Sequence, residues 1–199
     1  YNPIYKRDIE KLENQKLQVD YKYIFGIGRM KNNIKQFDHL IKAYKKSNAQ
    51  EQGVKLVLAG DGDFKKNLNE LVIKEQLEGQ VVFLGHLDNP FPYLKNAYFT
   101  ALTSKNEGFP NVLLESLICS TPVIAYDCES GPNEIIIHEK NGLLVKNQDI
   151  DQFAKSINRM ITNTSLYDYC KNNAQESVTK FTPEIIGEQW LNFLKINLN

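Results

Sequence analysis

Cysteine is scarce in this chain of 199 residues, and an excess of charge of either sign is missing altogether. The three cysteines, Cys119, Cys128 and Cys170, are odd in number and widely spaced, with no Cys-x-x-Cys pair and no histidine at ligand spacing. That pattern argues against a disulfide framework and against zinc, and reads as reduced thiols of a cytosolic protein. Lysine plus arginine and aspartate plus glutamate balance at 24 each, and no basic run exceeds two residues, which argues against a surface that tracks nucleic-acid phosphates. No apolar run approaches the roughly 20 residues that cross a bilayer, and the opening YNPIYKRD has no signal-peptide pattern. Low-complexity tracts and fixed-period repeats are absent. A Gly-x-Gly-x-x-Gly fingerprint is absent as well, so a dinucleotide-binding module fits poorly.

What the chain has is a regular alternation. Short apolar runs occur at Tyr23 to Ile27, Lys55 to Ala59, Val81 to Leu84, Tyr98 to Thr103, Pro122 to Tyr126 and Gly142 to Val145. They are nearly continuous rather than alternating, as expected of parallel strands covered on both faces. Between them Phe37, Leu40, Ile41 and Tyr44 recur at helical spacing, as do Phe64, Leu68, Leu71 and Val72, and Val112 to Cys119 reads as a short buried helix. Two more helices are expected within 149–162 and 165–181. A last one over 182–198 would have Thr182 as cap, Pro183 in its first turn and Ile186, Trp190, Phe193 and Leu194 on one face. The fold class is therefore α/β: a Rossmann-like, doubly wound parallel sheet of about six strands, whose ligands sit at the carboxyl ends of the strands.

The candidate chemistry lies at those ends. Asn106 to Glu115, NEGFPNVLLE, sets Glu107 and Glu115 eight positions apart around a turn made by Gly108, Phe109 and Pro110. Proline has no N–H to leave unpaired at a helix start, and Asn111 and Val112 follow it with free donors, so the helix start suits a diphosphate. Carboxylates accept hydrogen bonds from hydroxyls, and a nucleotide-sugar carries hydroxyls on both sides of its diphosphate. On spacing alone, two solvated helix-face acids fit equally well. After the first strand come Gly28 and Arg29, with Lys31 and Lys35 as rival second cations. Gly60 and Gly62 suit a tight turn before a helix, and His86 in the third strand's loop reads most simply as solvated.

EGFPNVLLESL followed by CSTPVIAYD and SGPNEII resembles the C-terminal, donor-binding half of the retaining GT-B glycosyltransferases of family 4, over about Tyr23 to Lys146. The resemblance implies a UDP-sugar donor, with Glu115 on the ribose hydroxyls, Glu107 on the donor sugar, and Arg29 with Lys35 on the diphosphate in place of a metal. It places the backbone around Leu87 at the base and makes Gly131 a point of close approach. Glu134 is either a donor contact or a partner for its own helix's N–H groups. No cofactor and no metal are expected.

The implied reaction transfers a hexose or N-acetylhexosamine to a saccharide or lipid-linked saccharide acceptor, for surface polysaccharide or lipopolysaccharide. Front-face substitution is the first expectation, and double displacement with Glu107 as nucleophile is the rival. Residues 1–20 read as an interdomain linker, 21–181 as the nucleotide-sugar domain and 182–199 as a crossover helix, with an acceptor domain expected upstream of Tyr1. The location implied is cytoplasmic, compatible with peripheral contact at the inner membrane and without nucleic acid as partner. A sugar-nucleotide epimerase on the same scaffold and a noncatalytic nucleotide-binding module are the alternatives.

Overall fold

The computed structural model describes residues 1–4, 17 and 19–195, so most of the expected linker lies outside the described residues. Six strands, β1 (Lys22–Ile27), β2 (Val54–Ala59), β3 (Val81–Gly85), β4 (Phe99–Leu102), β5 (Val123–Asp127) and β6 (Gly142–Lys146), form one sheet. The order is β3-β2-β1-β4-β5-β6, and every pairing is parallel. All six strands match the apolar runs read from the sequence, with Tyr98 and Thr103 trimmed from the fourth.

Successive strand residues point to opposite faces, and each face meets its own helices. Ile24, Leu56, Leu58, Ile124 and Tyr126 pack on one side against helices α1 (Phe37–Lys46), α2 (Lys65–Lys74) and α6 (Ile150–Thr162). Tyr23, Phe25, Val57, Val123 and Ala125 face the other side with α3 (Phe91–Asn96), α4 (Asn111–Ile118) and α5 (Pro132–Ile135). Helix α7 (Thr164–Ser177) serves both cores, through Cys170 on the first and Ala174 on the second. A 3-10 turn (Thr179–Phe181) then leads into α8 (Pro183–Leu194).

Three local results differ from the sequence reading. Helix α3 was not expected, because six residues containing Pro92 are too few to show a period. Pro110 is the cap residue of α4 rather than its first helical residue, with ψ near 88°. Thr182 occupies the cap position of α8 in extended conformation, yet its side chain makes no cap bond. Asp149 does cap α6 through its side chain, which accepts from the Gln152 N–H at 2.8 Å. On α8 the apolar stripe divides: Ile186 is buried, whereas Trp190, Phe193 and Leu194 are exposed.

The crossover from β1 leads towards β2, and that from β4 leads towards β5, on the opposite side. Between the carboxyl ends of these adjacent strands a crevice opens, the switch point where doubly wound sheets take ligands.

Candidate active site

The loop after β1 is docked from below by the loop after β2. Gly28 N–H donates to Ala59 O at 3.1 Å, Met30 N–H to Asp61 O at 2.9 Å and Phe64 N–H to Met30 O at 2.8 Å. This approach requires glycine: at φ 129°, a Cβ on Gly60 would stand 1.9 Å from Gly28 O. The glycine turn read from the sequence is therefore the seat on which Arg29 rests. Above Gly28 lies the methylene stem of Lys35, with carbons 3.1–3.2 Å from where a Cβ would be.

Lys35 reaches across the switch point. Its Nζ stands 2.5 Å from Oε1 of Glu107, on the loop after β4, and both side chains are largely shielded. Arg29, Lys31, Asn32, Ile34, Lys35 and Glu107 line one cleft of about 320 Å³. A neighbouring pocket of about 300 Å³ is lined by Gly28, Arg29, Gly60, Asp61, His86 and Leu87. Arg29 is common to both. Lys31 lines the first cleft as well, so the structure brings both rival lysines there, and Lys35 is the one that pairs with Glu107.

The Glu107 turn is held from β5. Ser130 Oγ donates to Glu107 O at 2.5 Å and stands 3.3 Å from Gly108 O. Gly131, at φ 89°, lies so close beneath the turn that a Cβ would fall 2.4 Å from Pro110 Cδ. The Phe109 ring packs against Tyr1 and Phe181, with centroids 5.4 and 5.6 Å away. The Cys128 thiol is buried near Glu107, and burial with that neighbouring carboxylate pushes its pKa up, so it stays a thiol.

Helix α4 starts on the far side of this turn. Its first N–H groups, at Asn111 and Val112, have no acceptor within the helix, and the helix dipole places partial positive charge there. The Asn111 side chain is tethered, its Oδ1 accepting from Asn2 Nδ2 at 2.9 Å. Glu115 sits one turn further on. Burial raises its carboxyl above the ordinary value, and no salt bridge or hydrogen bond joins it to another side chain among the described residues.

Glu134 makes local contacts. Its carboxylate accepts the Gly131 N–H at 3.2 Å and interacts with the Tyr1 hydroxyl, whose pKa this contact raises. Two Asp-x-Asp triplets occur in the chain, at Asp61-Gly62-Asp63 and Asp149-Ile150-Asp151. Asp61 accepts the Gly62 N–H, Asp149 caps α6, and Asp151 pairs with Lys46 on the surface. Among the described residues no group of three His, Cys, Asp or Glu could hold a metal ion.

Several contributors escaped the sequence reading. Thr103 bonds the Lys35 carbonyl, Gln36 follows Lys35 and Gln148 pairs with the Gln36 side chain, and nothing in their residue types marks them. Ser130 does stand beside Gly131 in the SGPNE run, which is the available signal.

A profile of the group 1 glycosyltransferases matches residues 8–177, so the chain belongs to that family. Its fold is a Rossmann-like half of the GT-B architecture. The N-acetylgalactosamine-N,N'-diacetylbacillosaminyl-diphospho-undecaprenol 4-alpha-N-acetylgalactosaminyltransferase of Campylobacter jejuni is 31% identical over 98% of this chain and 52% of that enzyme. The Anabaena protein HepE, solved in complex with UDP, superposes with a TM-score of 0.81 at 28% identity, covering 96% of this chain and 53% of that one. The lipopolysaccharide outer core galactosyltransferase WaaB, in its apo form, gives 0.82 at 25% identity, covering 98% and 55%. The chain spans about half the length, or less, of the first curated relatives it matches.

Proposed function

We propose that this chain is the donor-binding part of a retaining, metal-independent glycosyltransferase that moves a hexose or N-acetylhexosamine from a UDP-sugar to a saccharide acceptor. The observation that carries the reading is the Lys35–Glu107 pair, which spans the switch-point crevice with Arg29 in the same cleft. A cation pair facing the partial positive charge of the α4 start suits a diphosphate, and charge-assisted bonds of this kind contribute about 1.5–3 kcal/mol each. The leaving UDP gains negative charge as the glycosidic bond breaks, so fixed cations there stabilise the transition state more than the ground state.

The remaining roles follow from position. Glu115, half-buried and without a side-chain partner among the described residues, takes the ribose hydroxyls, and their donation offsets the desolvation that raises its pKa. Glu107 holds hydroxyls of the donor sugar, and the pocket of Gly28, Gly60, His86 and Leu87 takes the base. With Oε1 already engaged by Lys35, Glu107 is better suited to orienting the sugar than to attacking it, which favours front-face substitution. A sugar-nucleotide epimerase needs acid–base residues beyond these, and a product assay separates the two: a glycosylated acceptor or a free epimerised sugar-nucleotide.

The domain organisation belongs to the same proposal, with an acceptor domain upstream and the exposed Trp190, Phe193 and Leu194 of α8 turned towards it. The acceptor is a saccharide or lipid-linked saccharide of surface glycan synthesis, handled on the cytoplasmic side of the membrane. No helix among the described residues is long and apolar enough to cross that membrane.

Calorimetry with UDP and UDP-sugars tests the site. Heat of binding should be present for the chain and lost in Arg29→Ala and in Glu115→Ala; unchanged binding in both variants rejects the assignment. Transfer by the complete enzyme should persist in excess chelator, and strict dependence on a divalent ion rejects the metal-free part.

A further inference from the structure

Two glutamines beside the cleft hold backbone conformations that their residue type disfavours. Gln36, next to Lys35, has φ 45°, and Gln148, between β6 and α6, has φ 68°. Left-handed conformations of this kind cost free energy in non-glycine residues and persist where surrounding contacts enforce them. Here the two side chains enforce each other. Gln36 Nε2 donates to Gln148 Oε1 at 2.8 Å, and Gln148 Nε2 donates to Gln36 Oε1 at 2.6 Å, closing a reciprocal amide pair between segments 112 residues apart.

The pair is part of a larger bracket. Gln36 Nε2 also lies 3.3 Å from His39 Nε2, while His39 Nδ1 lies 3.2 Å from the Tyr126 hydroxyl. Burial lowers the His39 pKa, so the ring is neutral, and Gln36 donates to its Nε2 when the ring proton sits on Nδ1. Thr103 Oγ1, at the end of β4, stands 3.1 Å from Lys35 O and 2.9 Å from Gln36 O. Asn147, beside Gln148, donates from Nδ2 to Lys105 O at 3.1 Å, and Lys105 N–H donates to Ile34 O at 2.8 Å. One short segment, Asn147-Gln148, therefore ties down both arms of the crevice: the Lys35 arm through Gln36 and the Glu107 arm through Lys105.

We propose that Gln36 and Gln148 are positioning residues, whose paired amides fix the backbone that aims the Lys35 ammonium at Glu107 and at the donor diphosphate. The diphosphate part rests on the function proposed above; the aim at Glu107 stands on the geometry alone. Neither glutamine touches the reacting atoms.

The test uses Gln148→Gly and Gln36→Gly. Glycine accepts the left-handed φ without strain, so the loss is of side-chain hydrogen bonds: the amide pair in both variants, with the Gln36–His39 contact in one and the Gln148–Asn147 contact in the other, and Gln148 is exposed enough for its variant to keep the fold. Amine labelling read by mass spectrometry should show Lys35 reacting several-fold faster in both variants, with the other lysines unchanged. Unaltered Lys35 labelling overturns the proposal. Affinity for UDP should fall about 3- to 10-fold in either variant, with no further fall in the double variant, while affinity for uridine stays the same. An equal loss for UDP and uridine means general loosening and also overturns it. If Lys35 labelling rises but the unaltered chain binds no UDP, the positioning stands and the donor-binding reading fails.

Discussion

On the β1 side of the crevice the Lys35 backbone is held through side chains, by the paired glutamines and by Thr103, whereas on the β4 side the Glu107 turn is held by the Ser130 hydroxyl and by Gly131 packed tightly against the Pro110 ring and Gly108 O. The difference has a physical consequence. The amide pair can be deleted from its exposed member, Gln148, and leave the fold standing, because water reaches that position. A glycine packed against a rigid proline ring without room for a Cβ tolerates no addition. Mutations on the two arms should therefore separate: loss of ligand affinity on the first, loss of stability on the second.

The largest expected effect tests the rigid arm. Gly131→Ala combines a left-handed φ with a Cβ 2.4 Å from Pro110 Cδ, and should cost about 3 kcal/mol, lowering Tm by roughly 6–12 °C in thermal unfolding. Lys35→Ala comes next and should do the reverse, weakening UDP about ten- to a hundredfold by calorimetry while Tm barely moves. A Gly131→Ala variant as stable as the original, or a Lys35→Ala variant that unfolds early, would erase the contrast.

Glu115 sharpens it from a third direction, because stability and binding should move oppositely. Burial raises its carboxyl above the ordinary 4.5, so the fold favours the protonated acid, and the ionised form is penalised at neutral pH. That penalty fades as pH falls through the raised value and is gone below the ordinary one. Glu115→Gln should therefore raise Tm by about 2–4 °C at neutral pH, with the gain vanishing in acid, and should lose UDP binding. Thermal scans across pH check the sign. The smallest effect belongs to α8: Phe193→Ser, at a side chain 77% exposed, should change the stability of this chain by no more than about 0.5 kcal/mol.

The sheet was legible because its inner strands are buried on both faces, which leaves an unbroken apolar run, and the half-buried edge strand β3 keeps such a run as well. Helix α3 was not, since Phe91 to Asn96 is too short for a period and contains a proline. In the site, Arg29, Lys35 and Glu107 were readable as chemistry, and the structure brings them to one cleft. Glu134 was readable with two roles, and in the structure it meets Gly131 and Tyr1. The supports were unreadable for a definite reason: a left-handed glutamine looks like any other until its partner, 112 positions away, is seen beside it. Lys31 and Lys35 likewise look alike in the sequence, and in the structure both line the cleft while Lys35 pairs with Glu107.

A structure of the chain bound to a UDP-sugar tests the central claim most directly. The diphosphate should lie between Arg29, Lys35 and the first N–H groups of α4, with Glu115 on the ribose and Glu107 facing the sugar. Donor density elsewhere, with the Lys35–Glu107 pair and the α4 start untouched, would contradict it.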